Sequence, residues 1–127
     1  MILILGAFLG FFSVAFGAFA EHALRETVTE EHFRYLMTAV RYNQVHAVMT
    51  AGVGLALLNG GRLADHRTLW WSALLFIVGT MLFSFSIYLS VSFDVPALVY
   101  LTPVGGITIM TAWLFLLAAA VSAVRQT

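Results

Sequence analysis

The chain has 127 residues, of which 61% are hydrophobic and 9% charged, against roughly 45–50% and about 25% in ordinary globular domains; that length excludes two such domains. Six Arg, four Glu and two Asp sum to zero with no Lys, so no basic face exists to attract nucleic acid. Cysteine is absent, which removes disulfides, thiolate metal sites and cysteine nucleophiles. What remains is a small all-α integral membrane protein.

Stretches 1 to 20, 42 to 61, 68 to 93 and 95 to 124 contain no Asp, Glu, Lys or Arg. Each is at least as long as the ~20 residues needed to cross a ~30 Å hydrocarbon core, and helices satisfy their own backbone groups there. The expected fold is a compact bundle of four transmembrane helices, near 2–22, 28–60, 68–91 and 102–124, forming one domain over 1–127 with both termini on one side. In the first span Ala18-Phe19-Ala20 has the form of a signal cleavage site. No Lys or Arg precedes the apolar run, and the run exceeds an h-region of 7–15 residues, so a retained helix is expected. Gly6, Gly10, Ser13 and Gly17 share one face and predict close packing on a neighbour.

Residues 21 to 41 hold seven of the twelve charges. Thr27-Val28-Thr29-Glu30 fits a capping box that starts the second helix near Val28. Phe33, Leu36, Met37 and Val40 form an apolar stripe on an amphipathic N-terminal extension of that helix, and Gly60-Gly61 ends it. Trp70, Trp71 and Tyr88 mark the two interfaces of span three. In the fourth, Thr102 as N-cap with Pro103 at N1 is expected to start the helix, leaving Phe93 to Leu101 as an interfacial connector. Counting Arg near the span ends gives a three-to-three tie, or three-to-two if Arg41 lies within span two, which favours cytoplasmic termini.

Polar residues inside a membrane cost several kcal/mol unless partnered, which makes each a functional candidate. His46 stands out, one turn after Tyr42 on the same face, about eight positions or roughly 12 Å inside the core. Ser84 and Ser86 of span three, and Thr108 and Thr111 of span four, fall at similar depth. An intramembrane polar layer of Tyr42, His46, Ser84 and Ser86 is therefore expected, with His46 either fixing helix register or relaying protons. His22 and His46 are not expected to converge on a haem or metal, because antiparallel register puts His46 near the level of Ala15. His32 and His66 read as solvated or headgroup-facing, and Glu30-Glu31 as a solvated helix start. Gly105-Gly106 reads as close helix packing rather than an unwound transporter site.

Several strings point further: Gly17-Ala18-Phe19-Ala20-Glu21-His22-Ala23-Leu24, Tyr42 with His46-Ala47, Phe83-Ser84-Phe85-Ser86-Ile87-Tyr88, and Thr102-Pro103-Val104-Gly105-Gly106 followed by Trp113. In this order they resemble the family known as domain of unknown function 423, which takes in YgdD-like and YwdK-like bacterial proteins and the transmembrane protein 256 family of eukaryotes. The resemblance implies a four-helix protein of bacterial inner membranes and mitochondria with no established reaction, and marks Gly17, His22, Thr102, Pro103, Gly105 and Gly106 as motif residues. The family pattern has glycine and alanine where this chain has Ala20 and Glu21, and glycine where it has Phe85.

No HExxH, GxSxG, P-loop or Rossmann fingerprint is present. The expected function is that of a non-enzymatic accessory or structural component of the bacterial inner membrane. It would have no cofactor, metal or catalytic residue, and its partners would be lipids, a second copy or another membrane protein. The alternative is a small permease or proton or ion conduit working through the His46 layer. A membrane-embedded redox or hydrolytic enzyme is disfavoured, since no nucleophile and base or convergent ligand set appears.

Overall fold

The structure, a computed structural model, describes residues 1–63 and 66–125. All regular structure among the described residues is helical. Helix α1 (Ile2–Phe19) continues through one π-helical turn, Ala20–Leu24, and is followed by α2 (Glu30–Leu58). A 3₁₀ turn at Gly61–Leu63 precedes α3 (Arg67–Thr80), which passes through a second π-helical turn, Met81–Phe85, into α4 (Ser86–Ser92). A 3₁₀ segment, Pro96–Leu101, then feeds α5 (Thr102–Arg125).

The helix starts correct two expectations. The N-cap of α2 is Thr29, whose extended backbone lets its hydroxyl accept from the His32 N–H at 3.1 Å. Thr27 is held in the preceding turn, where its own N–H, its hydroxyl and the Val28 N–H all donate to the Leu24 carbonyl. Nor is Thr102 an N-cap: its φ of −59° and ψ of −46° are helical, and its N–H donates to Val99 within the 3₁₀ segment. The segment expected to be a connector thus winds directly into α5. Pro103, with no N–H to lose, sits where 3₁₀ bonding gives way to α bonding. At the end of α2, Gly60 and Gly61 adopt φ of +75° and +74°, as a helix-stopping pair should.

Small residues set the packing. A Cβ on Gly6 would come within 2.6 Å of the Ala51 nitrogen, and one on Gly54 within 2.7 Å of the Leu3 nitrogen. Gly10 faces Ala47 and Gly17 faces Val40, so α1 and α2 lie antiparallel in constant register, as the glycine stripe implies. Helices α3 and α5 pair likewise, with Gly79 against Ile109 and the Ser72 hydroxyl donating to the Ala112 carbonyl at 2.9 Å. Ala39 beside Ser84 and His46 beside Phe76 fix the register of α2 on the α3–α4 rod.

Ser13, Asn43, His46, Thr50, Ser72, Thr80, Ser84, Ser86 and Ser90 are buried, whereas Ile4, Phe11, Val48, Leu58, Ile107 and Leu114 point outward. Polar groups inside and hydrocarbon outside suit a lipid solvent. Three helical segments, Ile2–Leu24, Arg67–Ser92 and Pro96–Arg125, are long and apolar enough to cross a membrane. Four spans are expected from the charge gaps, yet α2 is not among the three. Despite its 29 residues it carries Asn43, Gln44 and His46 soon after Arg41.

Candidate functional site

His46 lies 4% exposed on the inner face of α2. Its Nδ1 is 2.7 Å from the Tyr42 carbonyl oxygen, and its Nε2 accepts the indole N–H of Trp113 on α5 at 3.3 Å. A carbonyl accepts only and an indole donates only, so the two partners together require the neutral imidazole with its proton on Nδ1. The ring stacks on the fully buried Phe76 with centroids 5.5 Å apart, and Trp113 meets both rings edge-on. Arg41, Tyr42 and Val45 extend this cluster to a shallow groove between α2 and α5 of about 340 Å³.

The polar layer expected around His46 is not one network. Tyr42 is 40% exposed and stacks on Phe83 at 4.4 Å. The Ser84 hydroxyl donates to the Ala39 carbonyl at 2.7 Å, one helical turn from Tyr42. Ser86 bonds to Phe83 of its own rod and exchanges a hydrogen bond with Thr102 at 2.8 Å. Thr108 and Thr111 donate to Val104 and Ile107 within α5. These residues occupy neighbouring turns but point in different directions around their helices.

Asn43 is a further polar residue inside the bundle. Fully buried, it donates from Nδ2 to the Tyr88 hydroxyl at 3.3 Å and so ties α2 to α4. Asn43, His46 and Thr50 follow one another at helical spacing along the buried face of α2, a stripe visible in the sequence. Trp113 closes one of the family strings.

The string Phe83 to Tyr88 is the hub of the bundle. It begins inside the π-helical turn, and from it Phe83 meets Tyr42, Ser84 meets Ala39, Phe85 stacks on Phe12 at 4.7 Å and Ser86 meets Thr102. Tyr88 adds Asn43 and a 3.9 Å stack on Phe16. One short segment therefore touches α1, α2 and α5. π-Helical turns re-aim side chains in this way and recur at functional positions. Gly105 is part of the same junction, because a Cβ there would collide with the backbone N of Phe83, whereas Gly106 has 3.8 Å of clearance from the Phe83 ring.

The two departures from the family pattern both pack. Ala20 is fully buried in a cluster with Leu36, Ala39 and Tyr88, and Phe85 fills the space beside Phe12. Glu21 pairs with Arg25 at 2.8 Å on the surface. His22 is exposed on the first π-helical turn. The constant α1–α2 register puts residue 46 opposite residue 11, not Ala15. Eleven residues, or about 16 Å along the helix, thus separate the levels of His22 and His46. Among the described residues no group of three or more His, Cys, Asp or Glu is placed to hold a metal ion.

Residues 16–106 match the family model described as "Protein of unknown function (DUF423)". The chain is similar to the UPF0382 inner membrane protein YgdD of Escherichia coli K12, with 29% identity over 126 residues, 98% of this chain and 92% of that one. It is 31% identical over 115 residues to a UPF0382 membrane protein of Haemophilus influenzae, covering 90% of this chain and 88% of the relative. With the UPF0382 membrane protein YwdK of Bacillus subtilis it shares 28% identity over 119 residues, 94% of each chain. No solved structure matches. With a match that takes in both π-helical turns, the hub and the Thr102–Gly106 junction, this chain belongs to the DUF423 family of membrane proteins.

Proposed function

We propose that the protein is a four-span component of the bacterial inner membrane, with cytoplasmic termini, that catalyses no reaction and holds no cofactor. It acts through lipid or membrane-protein partners, a second copy included. The reading of α2 as the fourth span is supported by its pairing with α1 from Leu3/Gly54 to Gly17/Val40. Its polar residues Asn43, His46 and Thr50 face protein, while Val45, Val48, Leu55 and Leu58 face outward. Arg41 lies near the end of the span, within reach of the headgroups along its own hydrocarbon stem.

The observation that carries the non-catalytic reading is the double commitment of His46. Each ring nitrogen already has a structural partner, so a proton relay or a metal would first have to break the bond to Trp113 or to Tyr42. The conduit alternative needs that exchange in every cycle.

The test pairs two substitutions with two readouts. His46→Gln, which can still donate and accept, is expected to keep most of the thermal stability in detergent. His46→Leu is expected to lower it, and neither variant changes proton flux in proteoliposomes. If both variants stay fully stable while flux or a growth phenotype disappears, the conduit alternative replaces this reading. Isolation in mild detergent with a reproducible lipid or protein partner supports the accessory role.

A further inference from the structure

A second cavity lies at the opposite end of the hub from the His46 groove, between the start of α2 and the turn that joins α4 to α5. It measures about 350 Å³, within the ~300–1,000 Å³ typical of small-molecule sites. Phe83, Ile87 and Val91 line its interior, and His32, Tyr35 and Asp94 stand at its mouth.

Its lining carries one carboxylate over an otherwise mostly apolar wall. Asp94 is the lining residue with a full negative charge, and no Arg lines the cavity. Among the described residues no cation lies in ion-pair contact with Asp94. The rod from Arg67 to Ser92 ends two residues before it and the rod from Pro96 to Arg125 begins two residues after it, so the partial charges of the two helix ends largely offset and the carboxylate itself sets the local charge. The Tyr35 hydroxyl donates to Glu31 at 2.6 Å, and the Arg34 guanidinium lies 5.8 Å from the Tyr35 ring, so the charges on this side of the mouth are paired in sign and Asp94 is the uncompensated one. His32 and Tyr35 present two rings 6.2 Å apart, and ring faces attract cations. Asp94 holds φ of +52°, a left-handed conformation that glycine, asparagine and aspartate adopt most readily.

We propose that this cavity binds an amphipathic primary ammonium, with the charged end at Asp94 beside Tyr35 and the hydrocarbon chain against Phe83, Ile87 and Val91. A carboxylate at the mouth of an apolar interior is complementary to that class and disfavours fatty acids. The same chemistry is offered by an alkylamine and by the head of an aminophospholipid. In the second case Arg34, whose guanidinium lies 5.8 Å from the Tyr35 ring outside the cavity, meets the phosphate. The inference goes beyond the function proposed above and stands whether the protein is an accessory component or a conduit.

The test uses the full-length protein in maltoside micelles, titrated calorimetrically with octylamine hydrochloride, octanol and sodium octanoate. Octylammonium is expected to bind saturably at one site, and octanoate not at all. Asp94→Asn, which tolerates the left-handed backbone equally well, is expected to weaken binding about tenfold or more with an unchanged melting temperature. Val91→Trp, which fills the interior, is expected to abolish binding. Octanol binding as well as octylammonium, or an Asp94→Asn variant that binds like the parent, overturns the proposal. Competition with dihexanoyl phosphatidylethanolamine, against dihexanoyl phosphatidylcholine as control, distinguishes the sources. Selective displacement that weakens in Arg34→Gln identifies the lipid head, and saturable octylammonium binding without displacement identifies a free amine.

Discussion

Trp113 donates its indole N–H to Nε2 of His46 at 3.3 Å, and this bond joins α5 to α2 across the fully buried ring of Phe76. Trp113→Phe keeps an aromatic ring at the contact and removes the donor. It is expected to cost about 1–2 kcal/mol, since the imidazole nitrogen is left without a partner away from water. Thermal unfolding in detergent of Trp113→Phe, His46→Leu and the double variant checks this. Strictly additive losses would mean that the two side chains do not interact.

Adjacent glycines in α5 provide an internal control. Gly105 has no room for a methyl group against the backbone of Phe83, whereas Gly106 does. Gly106→Ala is therefore expected to be neutral or to stabilise by up to about 1 kcal/mol through helix propensity. Gly105→Ala is expected to destabilise by several-fold more than that gain, about 2–3 kcal/mol, because backbone must move. Equal melting temperatures for the two variants would contradict the packing.

Thr29 and Thr27 are two residues apart and have different tasks. Thr29→Ala removes the side-chain cap on the His32 N–H and is expected to cost about 1 kcal/mol. Thr27→Ala, which loses only an exposed hydrogen bond to Leu24, is expected to cost less than half as much. Chemical denaturation of the two variants in parallel gives the comparison.

Tyr35, near the start of α2 and outside the three segments long and apolar enough to cross a membrane, has its pKa raised above the ordinary 10.0 chiefly by donating its hydroxyl to the Glu31 carboxylate, with the negative charge of Glu31 adding to the effect. The folded state thus holds this proton more tightly than the unfolded chain does. Its contribution to stability is complete below pH 10 and is lost as pH rises through the folded value. Glu31→Gln removes the charged acceptor and is expected to bring the tyrosinate absorption of Tyr35 to lower pH, measured as the difference from the Tyr35→Phe variant. A titration that does not move would show that Glu31 does not hold the hydroxyl.

The helical architecture was legible because charge gaps are a one-dimensional signal and a membrane rewards them directly. Details that depend on direction around a helix were not. Ser84 and Ser86 share a depth, but two residues are about 200° of rotation; one serine faces α2 and the other Thr102 on the 3₁₀–α5 junction. The start of α2 slipped by two residues because Thr27 and Thr29 are chemically alike and the deciding factor, the turn closed on the Leu24 carbonyl, is not a sequence pattern. Thr102-Pro103 has the chemistry of a helix start, and the preceding 3₁₀ turns override it by supplying a helical conformation upstream. Asn43 was within reach of periodicity, whereas its Tyr88 partner lies 45 residues away.

A π-helical turn amounts to one residue inserted into an α-helix, and Met81–Phe85 carries such an insertion in the middle of the third rod. Removing a single residue there would leave a good apolar helix, fit for the same bilayer, yet turn everything on one side of the cut by about 100° relative to the other. Ser84 and Gly79 would then no longer meet α2 and α5 together. The rod works like a camshaft whose two lobes are set at a fixed angle. A one-residue deletion at this point is therefore expected to disturb the bundle more than many substitutions do, and comparisons among relatives should preserve the residue count from Gly79 to Tyr88 more strictly than the side chains between them.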